Sequence, residues 1–152
     1  MAASGFKTLE VTVRLARIED ASPIAQLSAQ LGYPVASEDV EQRITQLNQT
    51  ADSVVYVAEV HDGHVVGWIH AFVCRTIESD SRAEIGGLVV DERHRRSGAG
   101  RLLMQHAEKW ARERGCKAVN LRTNVVRKDA HNFYQSLGYN LVKTQHAFRK
   151  NL

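Results

Sequence analysis

Residues 95–101 read Arg95-Arg96-Ser97-Gly98-Ala99-Gly100-Arg101, which puts three guanidinium groups and two glycines within seven positions. Upstream, Leu88-Val89-Val90 reads as the end of a buried strand. Downstream, Leu102, Leu103, His106, Ala107, Trp110 and Ala111 recur at helical spacing. Glycine lets a backbone approach a ligand with no Cβ in the way. The first N–H groups of a helix have no partner within it, and the helix dipole adds positive potential where they point. Arg95, Arg96 and Arg101 add full charges beside them. A polyphosphate suits this loop. A helix with a glycine-rich start and a solvated basic loop is the plainer reading. A dinucleotide fingerprint lacks its third glycine here, and the glycines stand well past the strand end. A phosphate loop of the Gly-Lys-Ser/Thr kind fails for want of those residues.

A second cluster lies further on: Asp129-Ala130-His131-Asn132-Phe133-Tyr134, then Leu137-Gly138-Tyr139. With it, Arg95-x-x-Gly98-x-Gly100 resembles the two motifs of the GNAT superfamily of acetyl-CoA-dependent N-acetyltransferases. In that family a Gln/Arg-x-x-Gly-x-Gly/Ala loop follows a bulged strand and precedes the longest helix. Here Ile85-Gly86-Gly87-Leu88-Val89-Val90 is that strand, and its two glycines permit a bulge. The resemblance covers roughly residues 11–150, the end of the chain least well.

The resemblance implies acetyl-CoA as cosubstrate. The backbone of Leu88, Val89 and Val90 then takes the pantetheine arm like an added strand. Arg95 and the amides of Arg96, Ser97, Gly98, Ala99, Gly100 and Arg101 hold the pyrophosphate. Asn124, Ala130 and Phe133 flank the far side of the arm. Arg127 stands where many relatives carry Asn, and the resemblance leaves its contact open between a cofactor phosphate and another partner.

Acetyl transfer needs a deprotonated amine, a donor for the thioester oxygen and a proton for the leaving thiolate. Glu84, in Ala83-Glu84-Ile85 and eleven positions before Arg95, resembles the catalytic Glu of the histone-modifying members. The alternative is a Glu on the solvent face of a strand. Tyr134 falls where the family places a Tyr near the cofactor sulfur, which implies a general acid; the alternative is a packing Tyr beside Phe133. The thioester oxygen takes the N–H of Val89 or a neighbour. Tyr33, between the first two helices, and Trp68, His70 and Phe72, alternating on one strand, are weaker acceptor-site candidates. The three on the strand either floor that site or pack under a helix. The expected acceptor is a small-molecule amine. A peptide or protein acceptor, and an acyl-CoA-binding module without turnover, remain alternatives.

These residues need elements to hold them. Val11–Leu15 alternates as a strand. Ile24, Leu27 and Leu31 mark a helix, with Asp20 as N-cap and Gly32 and Pro34 as its end; Ser37 opens another carrying Val40, Ile44 and Leu47. Ser53–Val60 and Val65–Cys74 form a hairpin across Asp62-Gly63, and Ala83–Val90 is a third meander strand. A helix over 97–114, with Glu108 and Arg112 paired on its surface, is followed by a strand over 118–123, a helix over 129–137 and a last strand from Tyr139 to Lys143. The fold class is α/β (α+β), in β-α-α-β-β-β-α-β-α-β order, with a mixed, mostly antiparallel central sheet flanked by helices.

The chain has 152 residues and suits one domain, with 1–8 a loose leader. A net charge of +3, with its basic residues bunched on one loop, argues against nucleic acid. No apolar run approaches the ~20 residues of a membrane span. Two cysteines without ligand spacing, and no His-Glu-x-x-His, point to no metal and to a reducing cytoplasm. Members of the family often pair as homodimers through their last strands, and Gln145–Arg149 is the matching segment here.

Overall fold

The computed structural model describes residues 10–152, so the expected leader over 1–8 lies outside the described residues. The order is β1 (Val11–Leu15), α1 (Ala21–Gln30), α2 (Ser37–Leu47), β2 (Ser53–Val60), β3 (His64–Thr76), β4 (Ser79–Val90), α3 (Ala99–Glu113), β5 (Val119–Asn120) and α4 (Lys128–Ser136). Two compact units result, one ending at Leu121 and the other spanning Arg122–Leu152.

In the first unit, β1 to β5 form one sheet in sequence order. The first four strands pair antiparallel, and β5 pairs parallel to β4. Alternation decides which helices cover which face. Val55, Val57, Val65 and Val89 join Ile24, Leu27, Val40 and Ile44 in a core under α1 and α2, with Trp68 packed against it. The opposite face carries α3, whose Leu103 packs over Gly67 and whose His106 meets Tyr56 edge to face at 5.6 Å.

Asp20 does not cap α1 as its position suggests. It is buried, and its carboxylate accepts from the Arg17 N–H at 2.7 Å and from the Arg14 guanidinium at 2.8 and 2.9 Å. Arg14 also donates to Glu59 at 3.0 Å, so one cation ties β1, β2 and the entry to α1. Burial alone would raise the Asp20 pKa, but the bonds from Arg14 and the Arg17 N–H outweigh it and hold the carboxylate below its usual range. Helices α1, α3 and α4 each end on a left-handed glycine, with the next N–H reaching back, as Tyr33 does to the Ser28 carbonyl at 3.1 Å.

The strand expected over 139–143 does not form: this segment has no ladder, and Leu141 and Val142 are 80% and 81% exposed. The strand over 118–123 shrinks to Val119–Asn120. No helix among the described residues is long and apolar enough to cross a membrane.

Candidate active site

β4 is where the sheet changes character. Gly87 pairs with His70 and Ile85 with Ala71, so Gly86 is the extra residue of a bulge. The bulge shifts the alternation: Glu84 falls in phase with Gly87 and Val89, not with Gly86 and Leu88 as unbroken alternation predicts. Both glycines are forced by what lies over them. A Cβ on Gly86 would stand 2.7 Å from His70 Nδ1, and one on Gly87 2.6 Å from the Trp68 ring. Trp68 and His70 therefore lie on the bulge itself, on the face shared with Phe72 and Glu84.

On its other side β4 is paired over only part of its length. β5 pairs only with Ala83 and Glu84, and the Ala83 N–H donates to the Ala118 carbonyl at 2.9 Å. Among the described residues, β4 pairs with β3 alone from Ile85 to Val90, which leaves a free strand edge beside the bulge. That edge runs into a turn over Glu92–His94, where the Asp91 carboxylate accepts from the Arg93 N–H at 3.0 Å and the Gln30 side-chain carbonyl from the Glu92 N–H at 3.2 Å.

The turn delivers the chain to the start of α3. Arg96 has φ +68°, in the left-handed region, and Gly98, the residue before the helix, has φ +87°. Leu102 is the first to bond back, its N–H donating to the Gly98 carbonyl at 3.0 Å. The N–H groups of Gly100 and Arg101 precede that bond and face out of the helix start. Ser97 Oγ accepts from the Ala99 N–H at 3.3 Å. Arg95, Arg96 and Arg101 are exposed around this mouth. A free strand edge leading into a positive helix start fits an extended arm that ends in phosphates, which is the shape and charge of coenzyme A.

Glu84 is mostly covered, its side chain 12% exposed, and its Oε1 accepts from Arg82 Nε at 3.0 Å. Arg82 also donates to Ser79 at 3.0 Å and Thr76 at 3.3 Å. Reading the motif alone misses this pair, although Arg82 stands two residues before Glu84 and so on the same face. His70 Nε2 and Trp68 Nε1 are both buried with no hydrogen-bond partner among the described residues. Burial lowers the His70 pKa, which keeps its imidazole neutral at pH 7. Tyr33, by contrast, is 65% exposed where α1 ends.

The remaining expected residues belong to the second unit. Asn124 shapes the start of α4: its side-chain oxygen accepts from the Val126 N–H at 3.1 Å and its carbonyl from the Arg127 N–H at 3.0 Å. Its carbonyl also lies 3.0 Å from His131 Nε2. Arg127 is the residue before α4, and Ala130 and Phe133 are half-buried along it. Tyr134 meets Phe133 at 5.1 Å and Tyr139 at 6.1 Å, both edge to face. Burial raises the Tyr134 pKa, so the hydroxyl keeps its proton at neutral pH.

The fold and this edge-to-helix arrangement define an acyltransferase of mixed α/β architecture. A family model for the acetyltransferase (GNAT) family matches residues 19–139. The chain belongs to that family. It is 30% identical over 146 residues to an aminoglycoside N(6')-acetyltransferase type 1 of Stenotrophomonas maltophilia, covering 93% of this chain and 94% of that protein. Its fold matches the 6'-N-acetyltransferase AAC(6')-Ih of Acinetobacter baumannii with a TM-score of 0.82 at 20% identity, over 94% of this chain and 99% of that one. It also matches the aminoglycoside N-acetyltransferase AAC(6')-Iy in complex with CoA, with a TM-score of 0.83 at 17% identity, over 95% and 97% of the two chains. Acetyl transfer to amines is the activity these relatives share.

Proposed function

We propose that the chain works as one domain that moves an acetyl group from acetyl-CoA to a primary amine of a small molecule, in the cytoplasm. The observation that carries this reading is the free edge of β4 over Ile85–Val90, which runs into the guanidinium-ringed start of α3. The backbone of Leu88 to Val90 holds the arm. The amides and guanidiniums of Arg95 to Arg101 hold the phosphates, and the motif resemblance adds Asn124, Arg127, Ala130 and Phe133 as cofactor contacts. When bound, acetyl-CoA supplies the acetyl group as an activated thioester.

The chain's own groups do the rest. The Val89 N–H or a neighbour at the bulge donates to the thioester oxygen. Tyr134, whose hydroxyl is protonated at neutral pH, gives a proton to the leaving sulfur. Two side chains on the acceptor face carry a proton-accepting atom, Glu84 and His70. Glu84 is the one that the motif spacing favours, although taking a proton there would cost its ion pair with Arg82. Support for a small acceptor comes from the S. maltophilia relative, which the chain covers nearly end to end.

Thiol release from acetyl-CoA against aminoglycosides, polyamines, amino acids and short peptides tests this. Turnover confined to small amines, with kcat reduced roughly 10²-fold in Tyr134→Phe as a lost general acid requires, supports it. Turnover only with peptides would reverse the acceptor class. Coenzyme A binding without turnover of any amine would leave a binding module.

A further inference from the structure

Resting on that acetyltransferase reading, we propose that His70 Nε2 is the base that takes the proton from the acceptor ammonium, while Trp68 Nε1–H binds an oxygen of the same acceptor, so that the acceptor is an amine with a hydroxyl or similar oxygen close by. Three observations converge on one patch. His70 and Trp68 lie two residues apart on one face of β3, and both ring nitrogens are buried without a partner. A buried N–H or imidazole nitrogen left unmet is destabilising, and a ligand completing the bonds removes that penalty. The same two rings cover the bulge, so tightly that neither Gly86 nor Gly87 admits a Cβ. A group resting on the bulge is a group beside the free edge of β4.

The neighbours leave His70 available. Beside it in the sheet stand Val55 on β2 and Gly87 on β4, neither of which titrates. The charged groups on this face of β4 are Glu84 and Arg82, and they are engaged with each other at 3.0 Å. Phe72, at 5.5 Å from the His70 ring, is itself the residue paired with Glu84, so an aromatic ring stands between His70 and that carboxylate along β3. A neutral imidazole with a vacant nitrogen can accept a proton at pH 7; a carboxylate bound to a guanidinium gives up an ion pair to do so.

The proton balance is simple. An ammonium N–H bond breaks, its electron pair stays on nitrogen, and Nε2–H forms. Over the whole transfer the nitrogen gains the acetyl group and loses two protons, one through His70 to solvent and one to the thiol. Side chains two apart on a strand stand ~7 Å from each other. The recognised oxygen therefore lies about three to five bonds from the reacting nitrogen. Amino sugars and amino alcohols meet that spacing, whereas alkylamines and diamines carry no oxygen.

The test compares glucosamine with cyclohexylamine, and 3-amino-1-propanol with butylamine and putrescine, for the wild type, His70→Gln and Trp68→Phe. The wild type is expected to prefer the oxygen-bearing member at least 10-fold in kcat/KM. Trp68→Phe should erase that preference, lowering kcat/KM more for the oxygen-bearing amines than for their oxygen-free partners. His70→Gln should lower kcat/KM for all amines and remove the acid limb of its pH profile. Without acetyl-CoA, glucosamine should shift the Trp68 indole N–H resonance. The His70 ring, titrated by NMR in the wild type, should change protonation at the pH of the kinetic acid limb, a comparison that needs no variant to fold. His70→Gln with undiminished kcat/KM, a mismatch between the two pH values, or no preference for oxygen in the wild type overturns the proposal and leaves the acetyltransferase reading standing. A wild type that turns over no amine overturns both.

Discussion

Gly87→Ala is the sharpest probe of the bulge. The new Cβ would stand 2.6 Å and 2.8 Å from two carbons of the Trp68 ring. Carbon atoms rest comfortably at ~3.5–4.0 Å, so ring or strand must retreat by roughly 1 Å. Trp68 packs against the core under α1 and α2, so the ring cannot retreat without disturbing that packing. Overpacking of this kind costs about 1–3 kcal/mol. At ~2–4 °C per kcal/mol for a chain of this size, the melting temperature should fall by about 2–12 °C. Because Trp68 would move, the acceptor KM should rise, while coenzyme A affinity, set on the other side of β4, should hold. Chemical denaturation of Gly87→Ala, Trp68→Val and the double variant reads the contact directly. Removing the ring should make the alanine nearly harmless, a coupling of about 1–2 kcal/mol. Additivity within ~0.5 kcal/mol would refute the claim that Trp68 is what forces glycine there.

Other substitutions separate stability from binding. Arg96→Gly relieves a left-handed non-glycine, worth ~1–2 kcal/mol, against ~0.5–1 kcal/mol of added chain entropy. Calorimetry should find it as stable as the wild type or slightly more so, and titration should find coenzyme A bound roughly 10-fold more weakly, as loss of one charged hydrogen bond predicts. Asp20→Asn should cost roughly 2–3 kcal/mol by urea titration, less than the ~3–5 of a fully buried pair because Arg14 keeps Glu59. Since folding depresses the Asp20 pKa, its contribution is complete above the unfolded carboxylate value and vanishes as pH falls through the folded one. Wild-type stability should thus drop below about pH 4, and the Asp20→Asn curve should be flatter there. Coenzyme A affinity should fall with added salt, since the guanidiniums of Arg95, Arg96 and Arg101 are exposed and screened.

The parts legible in the sequence are those that local chemistry dictates. Glycine after an amphipathic run stops a helix wherever it stands, and Gly32, Gly115 and Gly138 do so. The hairpin turn follows from Asp62 and Gly63, both left-handed at φ 77° and 73°. The loop from Arg95 to Arg101 was readable because few structures want two glycines and three arginines at a helix start. What was not legible depends on partners distant in sequence. Tyr139–Lys143 has a strand's composition, but a strand exists only where an edge receives it, and Leu141 and Val142 stay exposed. Asp20 has an N-cap's identity and position, yet Arg14, six residues back, claims its carboxylate. Whether Trp68 and His70 packed under a helix or faced a site could not be told from alternation, since both require the same face.

The structure shows the packing half of that choice directly, and the same packing shapes the bulge. Trp68 leans on the core of α1 and α2 and at the same time bars any side chain from Gly87. The bulge that breaks the regular run of β4 is therefore built from three things at once: an unpaired residue at Gly86, two missing Cβ atoms, and two rings that occupy their space. None is dispensable alone. A Cβ would displace a ring; a smaller side chain at 68 would open a void over the glycines; a regular ladder would return Glu84 to the phase of Leu88. The same construction leaves two ring nitrogens without partners, a defect that a core designed only for stability would fill. Polar atoms kept buried and unmet beside the free edge of a strand make sense where a transient partner, bound for one turnover, supplies the missing bonds.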